Sequence, residues 1–287
     1  MTLRTFVSAL GVILALLLTA VAVPAAWVDQ NIVKEEGFVR LAGGLGGDPE
    51  FQSRLATAAV GTFESSVDLP APIQALASEL LKGATTGMQS WSDYPQAWEE
   101  TVRNSHRLNF GATDQPEENS GTTALVLDIG PLVRLIRDHV AEATRIRLDV
   151  PEQSLVSLGE PSHRQMVERV AAFAPLWWVA AAGAALATLL ALVAARRRAL
   201  VPVFLGLGGL ALAALWTAGS GLAGSVVGNL STANGVAEVF KEEFLASVQA
   251  SFGQWTMVAA VVSGIVLVLG IIASLVTGRQ SSRSARR

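Results

Sequence analysis

Residues 176–218 read LWWVAAAGAALATLLALVAARRRALVPVFLGLGGLALAALWTA, two charge-free apolar runs joined at Arg196, Arg197 and Arg198. Each run is about 20 residues long, and at about 1.5 Å of rise per residue each crosses a hydrocarbon layer of about 30 Å once as a helix. Lipid offers the backbone no hydrogen-bond partner, so such a run is helical or part of a closed barrel, and the alternation of a barrel strand is missing. Residues 5–28 and 255–277 have the same charge-free character. The sequence therefore predicts a mainly α membrane protein with four transmembrane helices.

Charge gives these helices a direction. Segments 1–4, 196–198 and 278–287 hold eight arginines and no acid, whereas the rest of the chain holds 13 basic and 24 acidic residues, a net −11. Lys and Arg in short loops stay on the cytoplasmic side during insertion. The expected topology is a multi-pass plasma-membrane protein with both termini cytoplasmic. In that layout 1–28 is the first transmembrane helix, 29–173 an exported α+β domain, 174–277 three transmembrane helices with a short outer amphipathic segment at 219–254, and 278–287 a basic cytoplasmic tail. The first run also admits a second reading, a cleaved signal peptide, because Arg4 precedes it and Val23, Pro24 and Ala25 loosely resemble a small-residue cleavage site.

Five of the seven tryptophans, Trp27, Trp177, Trp178, Trp216 and Trp255, fall at the predicted outer ends of the helices. There an indole buries its ring and keeps its N–H among the headgroups, which makes these residues expected interface anchors. No cysteine occurs, so disulfides, zinc-thiolate sites and thiol nucleophiles are excluded together. Lysine occurs only at Lys34, Lys82 and Lys241 among many Ala, Val, Leu, Gly and Arg, the usage of a high-GC bacterium.

Within 29–173 the expected domain is mostly helical, with room for a small sheet. Asp48 before Pro49 and Glu50 supplies an N-cap for a helix over 49–63, and a weaker amphipathic stretch over 32–41 precedes it. Further helices are predicted over 72–81 and 91–108, the latter with Asp93 as cap and Trp91, Tyr94, Trp98 and Val102 recurring at helical spacing. Residues 111–121 read as an exposed loop. Strands are predicted at 122–127, 145–150 and 154–158, with a helix opened by Gly130 and Pro131 and another over 161–173. In 235–252, Val236, Val239, Phe240 and Phe244 face away from Glu238, Lys241 and Glu242, an amphipathic helix expected to pack against the large domain.

The opening at Asp48 and Pro49, Trp98 followed by Asn104, Ser105 and His106, the run from Val126 through Asp128 to Leu132, and the basic turn between two spans resemble a group of uncharacterised actinobacterial integral membrane proteins. The resemblance implies one N-terminal span, a helical exported domain and further C-terminal spans, and carries no activity.

Four residues are candidates for chemistry or recognition in the domain. His106 reads as a structural histidine, a partner contact or a general base; the three histidines lack the i, i+4 spacing of a metal pair, so no metal site and no cofactor is expected. Asp128 ends a strand before a helix, as a catalytic carboxylate or as a cap for the first helical N–H groups. Trp91 and Trp98 read as core or as a binding platform. No nucleophile elbow, phosphate loop or His-Glu-x-x-His motif is present, so no catalytic set emerges. The spans hold no ionisable group of the kind that coupled transporters use. Gly206, Gly208, Gly209, Gly224, Gly228, Ser263 and Gly264 offer small surfaces for helix packing or for docking to another membrane protein. The function expected is binding of a partner protein or envelope component by the exported domain, as scaffold, sensor or accessory subunit. The alternatives are a membrane-associated enzyme using His106 and Asp128, and an accessory subunit of a transporter. The expected partners are the lipid bilayer and another membrane or envelope protein, with nucleic acid repelled by the −11 charge.

Overall fold

The computed structural model of the protein describes residues 3–66, 91–111, 125–145, 153–158, 161–232 and 234–284. Four of its helical stretches are long and apolar enough to cross a membrane: Leu3–Val33, Val167–Ala194, Leu200–Gly228 and Gly235–Val276. By that criterion it is a multi-pass membrane protein, with lipid as its setting. The chain divides into two units, one made of 1–29, 173–225 and 249–287, the other of 30–172 and 226–248.

The first unit is a helical bundle of α1 (Leu3–Val28), α7 (Trp177–Ala194), α8 (Leu200–Gly228) and the later part of α9 (Gly235–Ser284). Small residues bring these helices together. On Gly11 a Cβ would stand 3.0 Å from Ala191 Cβ and 3.1 Å from the Ala187 carbonyl oxygen, and the Ser8 hydroxyl donates to the Ala191 carbonyl at 3.0 Å. Gly206 lets α8 approach the α9 backbone, since a Cβ there would lie 2.6 Å from Leu267 N, and Gly270 does the same against Val203 N at 2.7 Å. Gly208 meets Leu16, Gly209 meets Ser263 and Gly224 meets Gln249. These glycines therefore serve packing within the bundle, where contact and hydrogen bonding hold helices that lipid does not squeeze together. Gly228 and Gly264 face open space.

Helix ends differ from the expectation. Helix α8 continues ten residues past 218, to a total of 29 residues or about 43 Å, and α9 runs for 50 residues, about 75 Å, without a break at 253–254. Residues 219–228 hold no proline, and although Gly219, Ser220 and Gly221 form a run of turn formers and Gly253 lies in 252–254, the helices continue through both stretches. Only 229–234 interrupts, and the short outer segment expected at 219–254 is largely an extension of its two flanking helices.

A π-helical turn (Asp29–Val33), whose first residue closes the first unit's 1–29 segment, leads in the second unit into α2 (Glu35–Gly43), a 3₁₀ turn (Gly44–Gly47) and α3 (Pro49–Ser66). Then come α4 (Tyr94–Phe110), β1 (Val126–Asp128), α5 (Gly130–Thr144), β2 (Leu155–Ser157) and α6 (Pro161–Phe173). Gly37 is required where the π turn doubles back: a Cβ would stand 2.9 Å from Asn31 Cα. Asp48 caps α3 as expected, its Oδ1 accepting the N–H of Glu50 at 2.8 Å. Asp93 does not cap α4. Its backbone is already near-helical (φ −90°, ψ −7°), and its carboxylate instead accepts the Ser92 hydroxyl at 3.0 Å.

The core gathers Phe51 and Leu55 of α3, Tyr94, Trp98 and Val102 of α4, Leu127 of β1, Leu132 of α5, and Val236 and Phe240 of α9. The amphipathic stretch at the start of α9 thus packs into the unit, and Arg54 of α3 binds Glu242 and Glu243 beside it. Strands β1 and β2 pair antiparallel, Leu127 opposite Val156. Three strands were expected; among the described residues there are two. The predicted helix over 72–81 and most of the predicted strand at 145–150 lie outside the described residues, as does most of the 111–121 loop.

Candidate functional site

Helix α4 organises the candidate residues. Tyr94, Trp98, Thr101 and Ser105 recur at three or four residues on its buried face, and Trp98, with no exposed surface, donates its indole N–H to the Ala42 carbonyl at 2.9 Å. Phe51 meets the Trp98 ring edge-on at 4.9 Å. Gly46 lies so close beneath that a Cβ would stand 2.7 Å from Trp98 Cγ. Tyr94 is equally enclosed, and burial pushes its phenol pKa up, which keeps it neutral.

His106 is 6% exposed. Its Nε2 lies 3.1 Å from the Ile32 carbonyl, which can only accept, so Nε2 donates; Phe110 stacks on the ring at 4.8 Å. Asp128 is 2% exposed, and its Oδ1 accepts the N–H groups of Gly130 at 3.0 Å and Ser154 at 3.2 Å. This carboxylate closes the start of α5 and ties it to the approach of β2. No hydrogen bond joins His106 to Asp128, and each is committed to backbone groups. Trp91 differs from the other three. It is half-buried, outside α4, and stacks on His139 at 3.8 Å with the planes 15° apart.

One residue that the sequence reading passed over holds this arrangement together. Asn109 Nδ2 donates to the carbonyls of Val126 and Ser105, each at 2.7 Å, and its Oδ1 accepts the Val126 N–H at 3.0 Å. Ser105 Oγ accepts the Asp128 N–H at 2.9 Å and donates to the Thr101 carbonyl at 2.6 Å. Residues 126 and 128 face away from β2, so Asn109 and Ser105 occupy the edge where a further strand would pair. The signal available in the sequence was Asn109 lying four residues after Ser105 on the same helix face.

Outside the core, ion pairs link α2 to α4. Glu35 receives Arg103 at 2.8 Å and Arg107 at 2.9 Å, while Arg103 also meets Glu99 at 2.8 Å. Hydrogen bonding from Arg107 above all holds the Glu35 carboxyl below its usual range, against partial burial, with Arg103 adding to the effect. Among the described residues no three His, Asp or Glu lie close enough together to hold a metal ion.

The tryptophans expected as interface anchors divide. Trp27 donates to Ser251 Oγ at 3.2 Å, Trp177 to Asp29 Oδ2 at 3.2 Å and Trp216 to the Ala20 carbonyl at 3.3 Å, so three indoles bridge helices within the bundle. Ala20 lies seven residues before Trp27, about 10 Å along α1, and α8 continues well past Trp216; that ring is not at a helix end. Trp178 is 59% exposed and Trp255 half-buried.

The same unit contains a cavity of about 550 Å³ between α1, the Arg196–Arg197 turn and the start of α8. No known protein family, curated protein or solved structure matches this chain.

Proposed function

We propose that the protein is a plasma-membrane protein of the bacterial cell envelope, actinobacterial in type, whose larger domain is exported and binds a partner protein or envelope component. Both termini are cytoplasmic in this reading, and the protein acts as scaffold, sensor or accessory subunit. The observation that carries it is the charge division, eight arginines and no acid in the three short segments against a net −11 elsewhere. An acidic surface of that size favours a partner with a basic face and gives the association a marked dependence on salt. The enzyme reading gains nothing from His106 and Asp128, since both are buried and His106 Nε2 and Asp128 Oδ1 are taken up by backbone partners. Trp91, half-buried and just ahead of α4, is the one of the four candidates whose ring can still meet a partner. Affinity purification of the full chain from native membranes in mild detergent tests the proposal. A copurifying protein or envelope component that is lost at high salt is expected; recovery of monomer alone counts against it.

A further inference from the structure

The cavity of the first unit has two chemically distinct parts. Its walls are apolar, built from Ala9, Ile13 and Leu16 of α1 and Leu200 and Phe204 of α8, and Arg196 and Arg197 of the turn form its rim. Val12, Val201 and Ala195, all buried, also line it and pack together with Ala191. Both arginines are exposed, and among the described residues no carboxylate pairs with either. From Thr5 at the rim to Leu16 the cavity follows eleven residues of α1, about 16 Å, which equals the hydrocarbon depth of one leaflet, about 15 Å. At about 550 Å³ it falls in the size range of ligand sites, roughly 300 to 1,000 Å³.

We infer that this cavity is a binding site for one anionic phospholipid, with an acyl chain along α1 and α8 and the phosphate on Arg196 and Arg197. A free phosphate would use the rim and leave the apolar walls unoccupied, whereas a zwitterionic lipid would fill the walls but bring a cation to the two arginines. Only an anionic lipid satisfies both parts. The site does not depend on which face of the membrane the arginines occupy.

The test uses delipidated full-length protein in detergent, with binding of phosphatidylglycerol and phosphatidylcholine followed by native mass spectrometry. One phosphatidylglycerol is expected per chain, held at least tenfold more tightly than phosphatidylcholine, and millimolar inorganic phosphate should not displace it. The double variant Arg196→Gln/Arg197→Gln should lose roughly tenfold or more in phosphatidylglycerol affinity, on the order of fivefold for each charge near an anionic headgroup. Ala9→Phe, at an exposed wall position, should weaken both lipids by filling the groove with the arginines intact. Equal affinity for the two lipids, displacement by inorganic phosphate, or unchanged phosphatidylglycerol binding in either variant overturns the assignment. Melting curves of the lipid-free variants that match the parent keep these outcomes interpretable.

Discussion

The two units differ in the size of the side chains that dominate their buried residues. In the second, the fully enclosed residues include Trp98, Tyr94 and Phe51, and apart from the buried Asp128 charge stays near the surface in pairs such as Glu35 with Arg103. In the first, the enclosed residues are mostly small, Ala15, Ala187, Ala191 and Gly206 among them with Trp27 the large exception, while Leu17, Leu189, Val193 and Leu215 point outward. Water drives large apolar groups together, so a domain bathed in it gains most by enclosing tryptophan and phenylalanine. Lipid is as apolar as leucine, and helices within it gain only by close contact and hydrogen bonding, which small residues permit. The same chain follows both rules, and the switch occurs at the ends of the apolar runs.

The largest expected effect tests the water-facing rule. Trp98→Ala should cost about 3 to 5 kcal/mol, because it opens a large cavity and leaves the Ala42 carbonyl without its donor. Hydrogen exchange on the full chain in mild detergent should show faster exchange in 94–110 and unchanged exchange in 177–194. Equal loss in both segments would erase the distinction between the units.

A paired substitution probes the lipid-facing rule. Gly206→Ala places a methyl group 2.6 Å from Leu267 N and should destabilise the bundle by about 1 to 3 kcal/mol. Gly264→Ala adds the same methyl to the same class of helix where nothing lies within 4 Å, and should be neutral or stabilising by up to about 1 kcal/mol. Thermal unfolding in detergent separates the two; similar shifts would mean that close helix approach does not hold this bundle.

What the sequence made legible follows from the range of each interaction. Charge-free runs are local, and so is the Asp48 cap two residues from the N–H it binds; these could be read directly. The ends of α8 and α9 could not, because the Gly219-Ser220-Gly221 run and Gly253 read locally as breaks, yet the helices continue through them. His106 and Asp128 drew attention as chemical types, but their partners, Ile32 and Ser154, are 74 and 26 positions away. The same distance hid the role of Asn109, and it hid the indole bridges of Trp27, Trp177 and Trp216, which position along a helix alone assigned to the interface. Asp93 fails for a local reason: a capping side chain needs an extended backbone, and this residue is already turned into the helix.

The smallest effect concerns the charged surface of the second unit. Glu35 has a folded pKa below its ordinary value of 4.5, so its contribution to stability is complete above that value and is lost as pH falls through the lower folded pKa. Its side chain is a quarter exposed and screened by solvent, which limits the effect to about 1 kcal/mol or less. Glu35→Gln should therefore flatten the acid limb of the stability profile below the usual carboxylate range and leave the bundle unaffected. An unchanged acid limb would show that the pairs with Arg103 and Arg107 contribute nothing.

The assignment of the two units to opposite solvents and of the arginines to the cytoplasm is open to one direct measurement. The chain has no cysteine, so a single introduced thiol reports its own side of the membrane without background. Glu36→Cys in the second unit and Arg198→Cys in the turn between α7 and α8 are both at exposed positions. In intact cells an impermeant maleimide should label Glu36→Cys and leave Arg198→Cys untouched until the cells are opened. Labelling of Arg198→Cys in intact cells with Glu36→Cys protected would contradict the proposed orientation.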